Sequence, residues 1–230
     1  MKKIVFSTGA GISAESGITT FRDAGGLWEQ YPVMQVASAE GFAADPGLVH
    51  RFYNARRHDL AKAAPNEAHK LIAGLQDSFD VRVVTQNVDD LHERAGSRNV
   101  LHLHGELMKL RSVIRPEYTE TITPDNLDSS PDTRGRNGDP MRPHIVFFGE
   151  AVPEIDTAMR LATSADIFVV IGTSLNVYPA AGLMRCVRPG TPVYYIDPDP
   201  APTPGMPDIR VMAVKATEGM RMLDRELRGI

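Results

Sequence analysis

Cysteine is almost absent from this chain, because Cys186 is the only one among 230 residues. One thiol cannot form an internal disulfide, and it cannot supply a zinc site that needs two or more thiolates. Disulfide scaffolds, zinc ribbons and CxxC redox enzymes are therefore excluded. Long apolar runs are lacking too. No segment approaches the roughly 20 apolar residues that a transmembrane helix needs, so we expect no membrane partner.

The chain also lacks an excess of positive charge. It has 25 Lys and Arg against 29 Asp and Glu, which gives a net charge of −4. Proteins that bind the nucleic-acid backbone need a basic surface, so we expect no nucleic-acid partner. The basic start Met1-Lys2-Lys3 precedes an apolar run that is too short for a signal peptide. We therefore expect a cytoplasmic location.

Short β-branched runs alternate with helical patterns along most of the chain. The predicted strands are Ile4–Ser7, Val81–Thr85, Val100–His104, Ile145–Phe148, Ile167–Ile171 and Val193–Ile196. The predicted helices are Asn66–Asp77, Val88–Arg94, Glu154–Thr163, Ala180–Cys186 and Thr217–Leu227. Such alternation predicts an α/β fold with an open, mostly parallel sheet.

Two stretches break this alternation, and we interpret both as insertions that form a smaller lobe. Residues 23–64 have a helical pattern, and residues 106–144 are rich in Pro, Asp, Ser and Arg. A structureless loop of the second length is rare unless it is functional. The predicted division is a large domain of residues 1–22, 65–105 and 145–230, with a small lobe of residues 23–64 and 106–144.

A glycine motif follows the first predicted strand. Gly9-Ala10-Gly11-Ile12-Ser13-Ala14 is a G-x-G-x-x-A sequence at the start of a predicted helix, a pattern that lets backbone approach a pyrophosphate. Alone this motif does not establish cofactor binding, because a tight strand-to-helix turn needs glycine anyway. The second strand lacks the terminal acid that holds ribose hydroxyls in ordinary dinucleotide folds. This departure disfavours a plain dehydrogenase.

Polar residues also follow three other predicted strands. The segment 85–89 reads Thr-Gln-Asn-Val-Asp, whose amides suit a carboxamide or a sugar hydroxyl, although Asn87 or Asp89 could equally cap a helix. His104 precedes Gly105 and suits a general base, against the alternative of a structural histidine; His102 we interpret as structural. The fifth strand ends in Gly172-Thr173-Ser174. Since open α/β sheets bind ligands at their carboxyl edge, this convergence predicts a ligand site.

Taken in order, these motifs resemble the sirtuin family. The segments that carry the resemblance are 9–18 with Phe21-Arg22, 85–92 with Ala95-Gly96, His104-Gly105, 142–150 and 172–175. The resemblance covers nearly the whole chain and is weakest over 111–141. It implies a Rossmann-like, mostly parallel sheet with a smaller lobe, and an NAD-dependent protein-lysine deacylase. NAD and acyl-lysine protein or peptide substrates would meet in the cleft between domain and lobe.

The resemblance also implies roles for individual residues. The implied contacts with NAD are made by Gly9, Ala10, Gly11, Ser13, Ser16, Phe21, Arg22, Gln86, Asn87, Asp89, Gly172, Thr173, Ser174, Asp197 and Ala216. The implied catalytic residues are His104, as base towards the ribose hydroxyls, and Asn87. The acyl oxygen displaces nicotinamide, and the products are free lysine, nicotinamide and 2′-O-acyl-ADP-ribose. The peptide would add as a strand along Val146, Phe147, Gly149, Asn176 and Val177.

The first insertion contains Tyr53 and Arg56, which a helix places on one face. An arginine beside a phenol can grip a carboxylate at the end of an acyl chain, although a packed tyrosine and a surface arginine would be the ordinary interpretation. The Tyr-x-x-Arg sequence resembles the sirtuin class that prefers succinyl- and malonyl-lysine. We therefore predict desuccinylase and demalonylase activity, with some deacetylase activity.

The chain departs from the family at its metal site. Sirtuins usually carry two CxxC pairs in the second insertion, where this chain has Ser112 and Arg115 near the first pair. We therefore predict no structural zinc, and a lobe packed instead by Leu107, Leu110, Val113, Ile114 and Tyr118. Two alternatives of function stay open: an NAD-dependent mono-ADP-ribosyltransferase, and a non-catalytic NAD or ADP-ribose sensor.

Overall fold

A computed structural model of the chain describes residues 1–19, 31–176, 178–203 and 209–229. The predicted site residues Phe21, Arg22 and Val177 lie outside these described residues. The strands are β1 (Lys3–Thr8), β2 (Asp80–Thr85), β3 (Val100–His102), β4 (Gly105–Ser112), β5 (Thr119–Thr121), β6 (Met141–Ile145), β7 (Ile167–Ile171), β8 (Val193–Ile196) and β9 (Ile209–Met212). The α-helices are α1 (Val33–Val36), α2 (Ala39–Ala44), α3 (Pro46–Lys62), α4 (Glu67–Gly74), α5 (Leu91–Arg94), α6 (Ile155–Thr163) and α7 (Ala216–Arg228).

The predicted α/β fold is confirmed by a six-stranded sheet with the order β3-β2-β1-β7-β8-β9. Every pairing in it is parallel. Both faces of the sheet are covered, which is why its central strands read as nearly continuous apolar runs. On one face Ile4, Phe6 and Val169 pack against residues of α4 and α7. On the other face Val5 and Phe168 pack against α6 and the 3-10 helix Ala180–Cys186.

A separate three-stranded antiparallel sheet, with the order β5-β4-β6, lies in the second insertion. The strand predicted over Ile145–Phe148 is therefore misplaced, since β6 covers Met141–Ile145 and pairs with β4. Ile145 and Phe147 are buried against the first insertion and not within the parallel sheet, whereas Val146 is half-buried and Phe148 is exposed. Sequence patterning also missed β9, an edge strand that is half exposed, with Arg210 and Val211 both on the surface.

The glycine motif does not open the predicted α-helix. It continues as two 3-10 helices, Ala10–Ile12 and Ala14–Ser16, and Gly17 ends the second one in the left-handed region at φ 82°. The helix predicted over Ala180–Cys186 is likewise a 3-10 helix. The backbone therefore makes a tight, turn-like connection after β1, which keeps this segment at the edge of the sheet.

A third core joins the two insertions to each other. Phe52 and Tyr53 of α3 are buried together with Leu107 of β4, Ile145 of β6 and Phe147. The amide of Phe148 also donates to the carbonyl of Ala37 at 2.8 Å. This packing orients one face of α3 toward the carboxyl edge of the parallel sheet. None of the helices in the described ranges has the length and apolar character needed to span a bilayer.

Candidate NAD and acyl-lysine site

Two glycine turns meet at the carboxyl edge of the parallel sheet. The amide of Gly9 donates to the carbonyl of Ile171 at 2.9 Å, and that of Gly11 donates to the carbonyl of Gly172 at 2.8 Å. A Cβ on Gly11 would lie 2.6 Å from the Cα of Gly172, which has φ 62°. Only glycine permits such an approach. The turn after β1 and the turn after β7 thus form one surface, on which Ala10 is half-buried.

Ser13 connects the glycine motif to the segment after β2. Its buried hydroxyl donates to Oδ2 of Asp89 at 3.0 Å and accepts from Nδ2 of Asn87 at 3.2 Å. Next to this group, Nε2 of Gln86 donates to Oγ1 of Thr173 at 3.2 Å. The structure therefore brings together the polar residues from three of the strand ends that the sequence singled out.

His104 lies beside this cluster with a defined tautomer. Its Nδ1 is 3.0 Å from the carbonyl oxygen of Gln86. Since a carbonyl oxygen can only accept, Nδ1 carries the proton and Nε2 keeps its lone pair. Burial lowers the pKa of the His104 imidazole below its usual value of 6.5, so the ring is neutral at pH 7. Nε2 is therefore available as a general base.

Asp89 has the helix-capping contact that was one of the two interpretations of the sequence, and it also contacts Ser13. Its Oδ1 accepts from the amide of Leu91 at 3.2 Å, which supports the start of α5, while Oδ2 is held by Ser13. Burial raises the pKa of the Asp89 carboxyl, and these two hydrogen bonds oppose that shift. The carboxyl is thus largely enclosed and has a fixed orientation at the site.

The remaining predicted cofactor residues border the same edge further along the sheet. Asp197 follows β8 and Ala216 begins α7, and each side chain is only 3% exposed. Ser174 is half-buried beside Thr173. On the opposite side, Ser16 accepts a hydrogen bond from Nδ2 of Asn66 at 3.0 Å.

The predicted peptide-binding residues lie on a segment that follows β6. The amide of Val146 donates to the carbonyl of His104 at 3.0 Å, which places this segment against the predicted base. Phe147 is buried and its ring centroid is 6.2 Å from that of Tyr53, whereas Gly149 is exposed with φ 89°. Asn176 is exposed after the turn that follows β7.

Tyr53 and Arg56 lie on the same face of α3, as predicted. The Tyr53 ring is buried, and the Arg56 guanidinium carbon is 6.0 Å from its centroid. Arg56 lines a small cavity together with Gly17, Ile18 and Asp89. Burial raises the pKa of the Tyr53 phenol to about 12, so it stays a neutral donor. Burial also lowers the pKa of the Arg56 guanidinium, a desolvation cost that an anionic ligand would offset.

Two residues in this region were not assigned to the site by sequence reasoning. Nδ2 of Asn66 donates to the carbonyl of Ile12 at 2.7 Å as well as to Ser16, so it fixes the loop after β1. Its position at the start of α4 indicates only a helix cap. His102, interpreted as structural, contacts the carbonyl of Asn87 and the carboxylate of Glu93.

The second insertion holds a polar cluster in place of zinc ligands. Oγ of Ser112 donates to Oδ2 of Asp139 at 2.6 Å, and Nε and Nη2 of Arg115 each lie 2.8 Å from that carboxylate. The described residues contain no group of three or more His, Cys, Asp or Glu side chains placed to hold a metal. A guanidinium at the carboxylate disfavours a cation there, so this donor set does not fit zinc.

The apolar packing predicted for this lobe is only partly right. Leu107 and Leu110 are buried, and Tyr118 packs against the cluster of Leu110, Ile122 and Met141. Val113 and Ile114, however, are 46% and 66% exposed. They occupy the tip of the Ser112–Arg115 turn, where the backbone is held by the Ser112 hydroxyl and no side chain needs to turn inward.

Comparison with known proteins places these features in a family. Residues 9–179 match the Sir2 family. An NAD-dependent protein deacylase of Bacteroides thetaiotaomicron is 54% identical over 99% of this chain and 98% of its own length. One from Helicobacter pylori strain 26695 is 49% identical over 86% of this chain and 85% of its own.

Solved structures agree with this assignment. A Sir2 homolog–NAD complex has a TM-score of 0.88 at 40% identity, covering 99% of this chain and 90% of that one. A Sir2 complex with a deacetylated p53 peptide and 3′-O-acetyl ADP ribose has a TM-score of 0.83 at 32% identity, covering 99% and 94%. With most of its length matched at this level, the chain belongs to the Sir2 family.

Proposed function

We propose that this protein is an NAD-dependent protein-lysine deacylase that removes succinyl and malonyl groups, with some activity on acetyl-lysine. The observation that carries the proposal is the convergence of the glycine turn, the Gln86–Asp89 segment and His104 at one edge of the sheet. Two relatives named as NAD-dependent protein deacylases, and a structural neighbour solved with NAD, support it.

The residues at the sheet edge fit NAD. The touching glycine turns leave backbone without side chains where a pyrophosphate would lie, with Ser13 and Ser16 beside it. Asn87 and Asp89 supply the polar groups for the nicotinamide carboxamide, and Gln86 those for the adjoining ribose. Thr173, Ser174, Asp197 and Ala216 border the adenosine side. When bound, NAD supplies an electrophilic ribose carbon that accepts the acyl oxygen.

Catalysis by the chain's own groups depends on His104. Its protonated Nδ1 is held by the Gln86 carbonyl, so Nε2 accepts a proton from a ribose hydroxyl. With NAD bound, the acyl oxygen would displace nicotinamide from the ribose carbon and the deprotonated hydroxyl oxygen would bond to the acyl carbon. One water would then replace the lysine amine on that carbon, so that the products are free lysine, nicotinamide and 2′-O-acyl-ADP-ribose. Asn87 orients the reacting groups through its tie to Ser13.

The acyl-lysine peptide binds between the segment after β6 and the turn after β7. Val146 and Gly149 offer backbone groups to an extended chain, and Asn176 faces it from the other side. The acyl end then lies near Arg56 and Tyr53, because Phe147 packs directly on Tyr53. The cleft separates a large domain of residues 1–22, 65–105 and 145–230 from a lobe of residues 23–64 and 106–144.

Mass spectrometry of acyl peptides with NAD tests this proposal. Matched acetyl-, malonyl- and succinyl-lysine peptides are incubated with wild-type protein and with His104→Ala. We expect deacylated peptide and O-acyl-ADP-ribose with the wild type, and a loss of about 10²- to 10⁴-fold with the variant, since general-base catalysis contributes that much. Transfer of ADP-ribose from NAD to protein without deacylation would favour a transferase. NAD binding without either product would favour a sensor.

We also propose that the lobe folds without zinc. Arg115 and Ser112 already satisfy the Asp139 carboxylate, and the chain's single cysteine is in a different part of the fold, so this donor set does not fit zinc. Cys186 ends the 3-10 helix that packs on the parallel sheet.

A further inference from the structure

His102 is the last residue of β3, and it lies two residues before the proposed base. Its Nδ1 is 2.9 Å from the carbonyl oxygen of Asn87, and its Nε2 is 2.8 Å from Oε1 of Glu93. Only 8% of the His102 side chain is exposed. A carbonyl and a carboxylate both accept hydrogen bonds, so the ring satisfies both partners only when both nitrogens carry protons. The geometry therefore calls for an imidazolium.

The two histidines of this segment hold adjacent carbonyl groups. His104 donates to the carbonyl of Gln86 and His102 to that of Asn87, so the backbone entering the Asn87–Asp89 turn is fixed at two successive residues. The side chain of Asn87 is then directed to Ser13. Because Glu93 belongs to α5, which starts directly after this turn, the His102–Glu93 pair also closes the turn from its far end.

We infer that His102 is a positioning residue for the deacylation reaction: as an imidazolium clamped by Glu93, it holds the Asn87 carbonyl and thereby the nicotinamide end of the site. This inference rests on the proposed function. His102 has no role as base or nucleophile, because both of its nitrogens are used. The effect of its loss falls on cofactor binding and on the rate, and not on recognition of the peptide.

The charged groups around His102 make its protonation, and so its contact with Glu93, depend on pH. The groups that face it are Glu93 and His92 of α5, Asp89 before that helix, and Glu106 of β4. Burial acts to lower the pKa of the His102 imidazole, but the hydrogen bond and charge of Glu93 outweigh it and raise the pKa above the usual value. The clamp is therefore complete at low pH and is lost as pH rises through this raised pKa.

The pKa of His104 moves in the opposite direction. Its base form is present above a pKa that burial has lowered, so activity rises there with pH. The two histidines thus limit the active range from opposite sides, with His104 on the acid side and His102 on the alkaline side.

The test is the pH profile of kcat/KM for NAD from pH 6 to pH 9, with an acetyl-lysine peptide. We expect His102→Gln to lower this value roughly 10- to 100-fold, as displaced catalytic groups do, while the KM for peptide stays close to wild type. In Glu93→Gln the cause of the raised pKa is gone, so the alkaline limb moves to lower pH. His58→Gln and Glu117→Gln, both at exposed positions, are the matched controls.

Melting temperatures and NAD binding by calorimetry accompany these profiles, so that misfolding is separated from loss of positioning. The inference is overturned if His102→Gln keeps the wild-type profile, or if Glu93→Gln lowers activity evenly at every pH. A wild-type protein that deacylates no acyl peptide would instead overturn the proposed function, and the inference with it.

Discussion

Arg56 and Tyr53 are the residues to which we assign the proposed acyl preference. The Arg56 guanidinium borders a cavity and lies 6.0 Å from the ring centroid of the neutral Tyr53 phenol, and both groups would gain from a carboxylate at the end of a succinyl or malonyl chain. The paired variant Tyr53→Phe/Arg56→Met removes both donors and keeps the apolar bulk. We expect desuccinylation to fall about 10- to 100-fold, the equivalent of a hydrogen bond to a charged group, with deacetylation largely retained.

Kinetics on paired succinyl and acetyl peptides measure this preference. Arg51→Met, the same change at an exposed position of α3, is the control. Full desuccinylase activity in the Tyr53/Arg56 variant would contradict the assignment, and so would an equal loss on both peptides.

The roles of some other residues of the site could be predicted from the sequence, and those of others could not. Gly9, Gly11, Asn87 and His104 follow strands, so their convergence at one edge of the sheet could be predicted. The second role of Asn66 could not, because its bond to Ile12 spans 54 residues of chain. The partners of His102 could not be predicted either, since strand alternation places a side chain on a face but does not name its partner.

At the scale of elements, the Ser112–Arg115 turn is held by side-chain hydrogen bonds. The Ser112 hydroxyl accepts from the amides of Ile114 and Arg115 and donates to Asp139, so one carboxylate ties β4 to the chain that leads into β6. Side-chain bonds from Arg115 and Ser112 hold the pKa of Asp139 at about 2. The carboxylate is thus ionised throughout the range in which the protein would work.

The Asp139→Asn variant tests this element. We expect it to lower the free energy of unfolding, because the charge-assisted hydrogen bonds from Ser112 and Arg115 to the carboxylate are lost. Urea unfolding measures the change, and Asp125→Asn at an exposed position is the control.

Elemental analysis of wild-type protein should find no stoichiometric zinc, and a strong chelator should leave activity unchanged. Zinc at one equivalent, or loss of activity with chelator, would refute the proposal.

Elements of the large sheet were more predictable than those of the small one. The buried parallel strands carry continuous apolar runs, which predict a strand strongly. The strands β4 and β5 contain Lys, Arg, Glu and Thr and have no such continuous apolar run. The misplaced Ile145–Phe148 strand shows the same limit. Ile145 and Phe147 of this run are buried against α3, and burial alone does not say which sheet an element joins.

At the scale of the whole molecule, uncharged histidines are buried both beside the parallel sheet and between the two insertions. His50 lies between α3 and the second insertion, where it contacts Ser129, and His69 packs at 4.9 Å against His92 beneath the parallel sheet. Burial lowers the pKa of both His50 and His69 from 6.5 to about 4, with the charge of Arg57 adding to the effect at His50. The large domain and the lobe therefore share a sensitivity to acid.

This sensitivity predicts how stability depends on pH. Between pH 6.5 and pH 4 the unfolded chain binds protons that the folded chain excludes at these histidines, so stability falls as pH falls. From pH 7 to pH 5 the loss is about 2 kcal/mol for each group, a large share of a typical total. Urea unfolding at both pH values measures it. From pH 7 to pH 5, the free energy of unfolding of His69→Gln should fall by about 2 kcal/mol less than that of the wild type, whatever the variant's stability at pH 7. The variant His58→Gln, at an exposed position, should show the same fall as the wild type. Equal losses in all three proteins would show that acid acts elsewhere, since only the buried ring excludes its proton in the folded state.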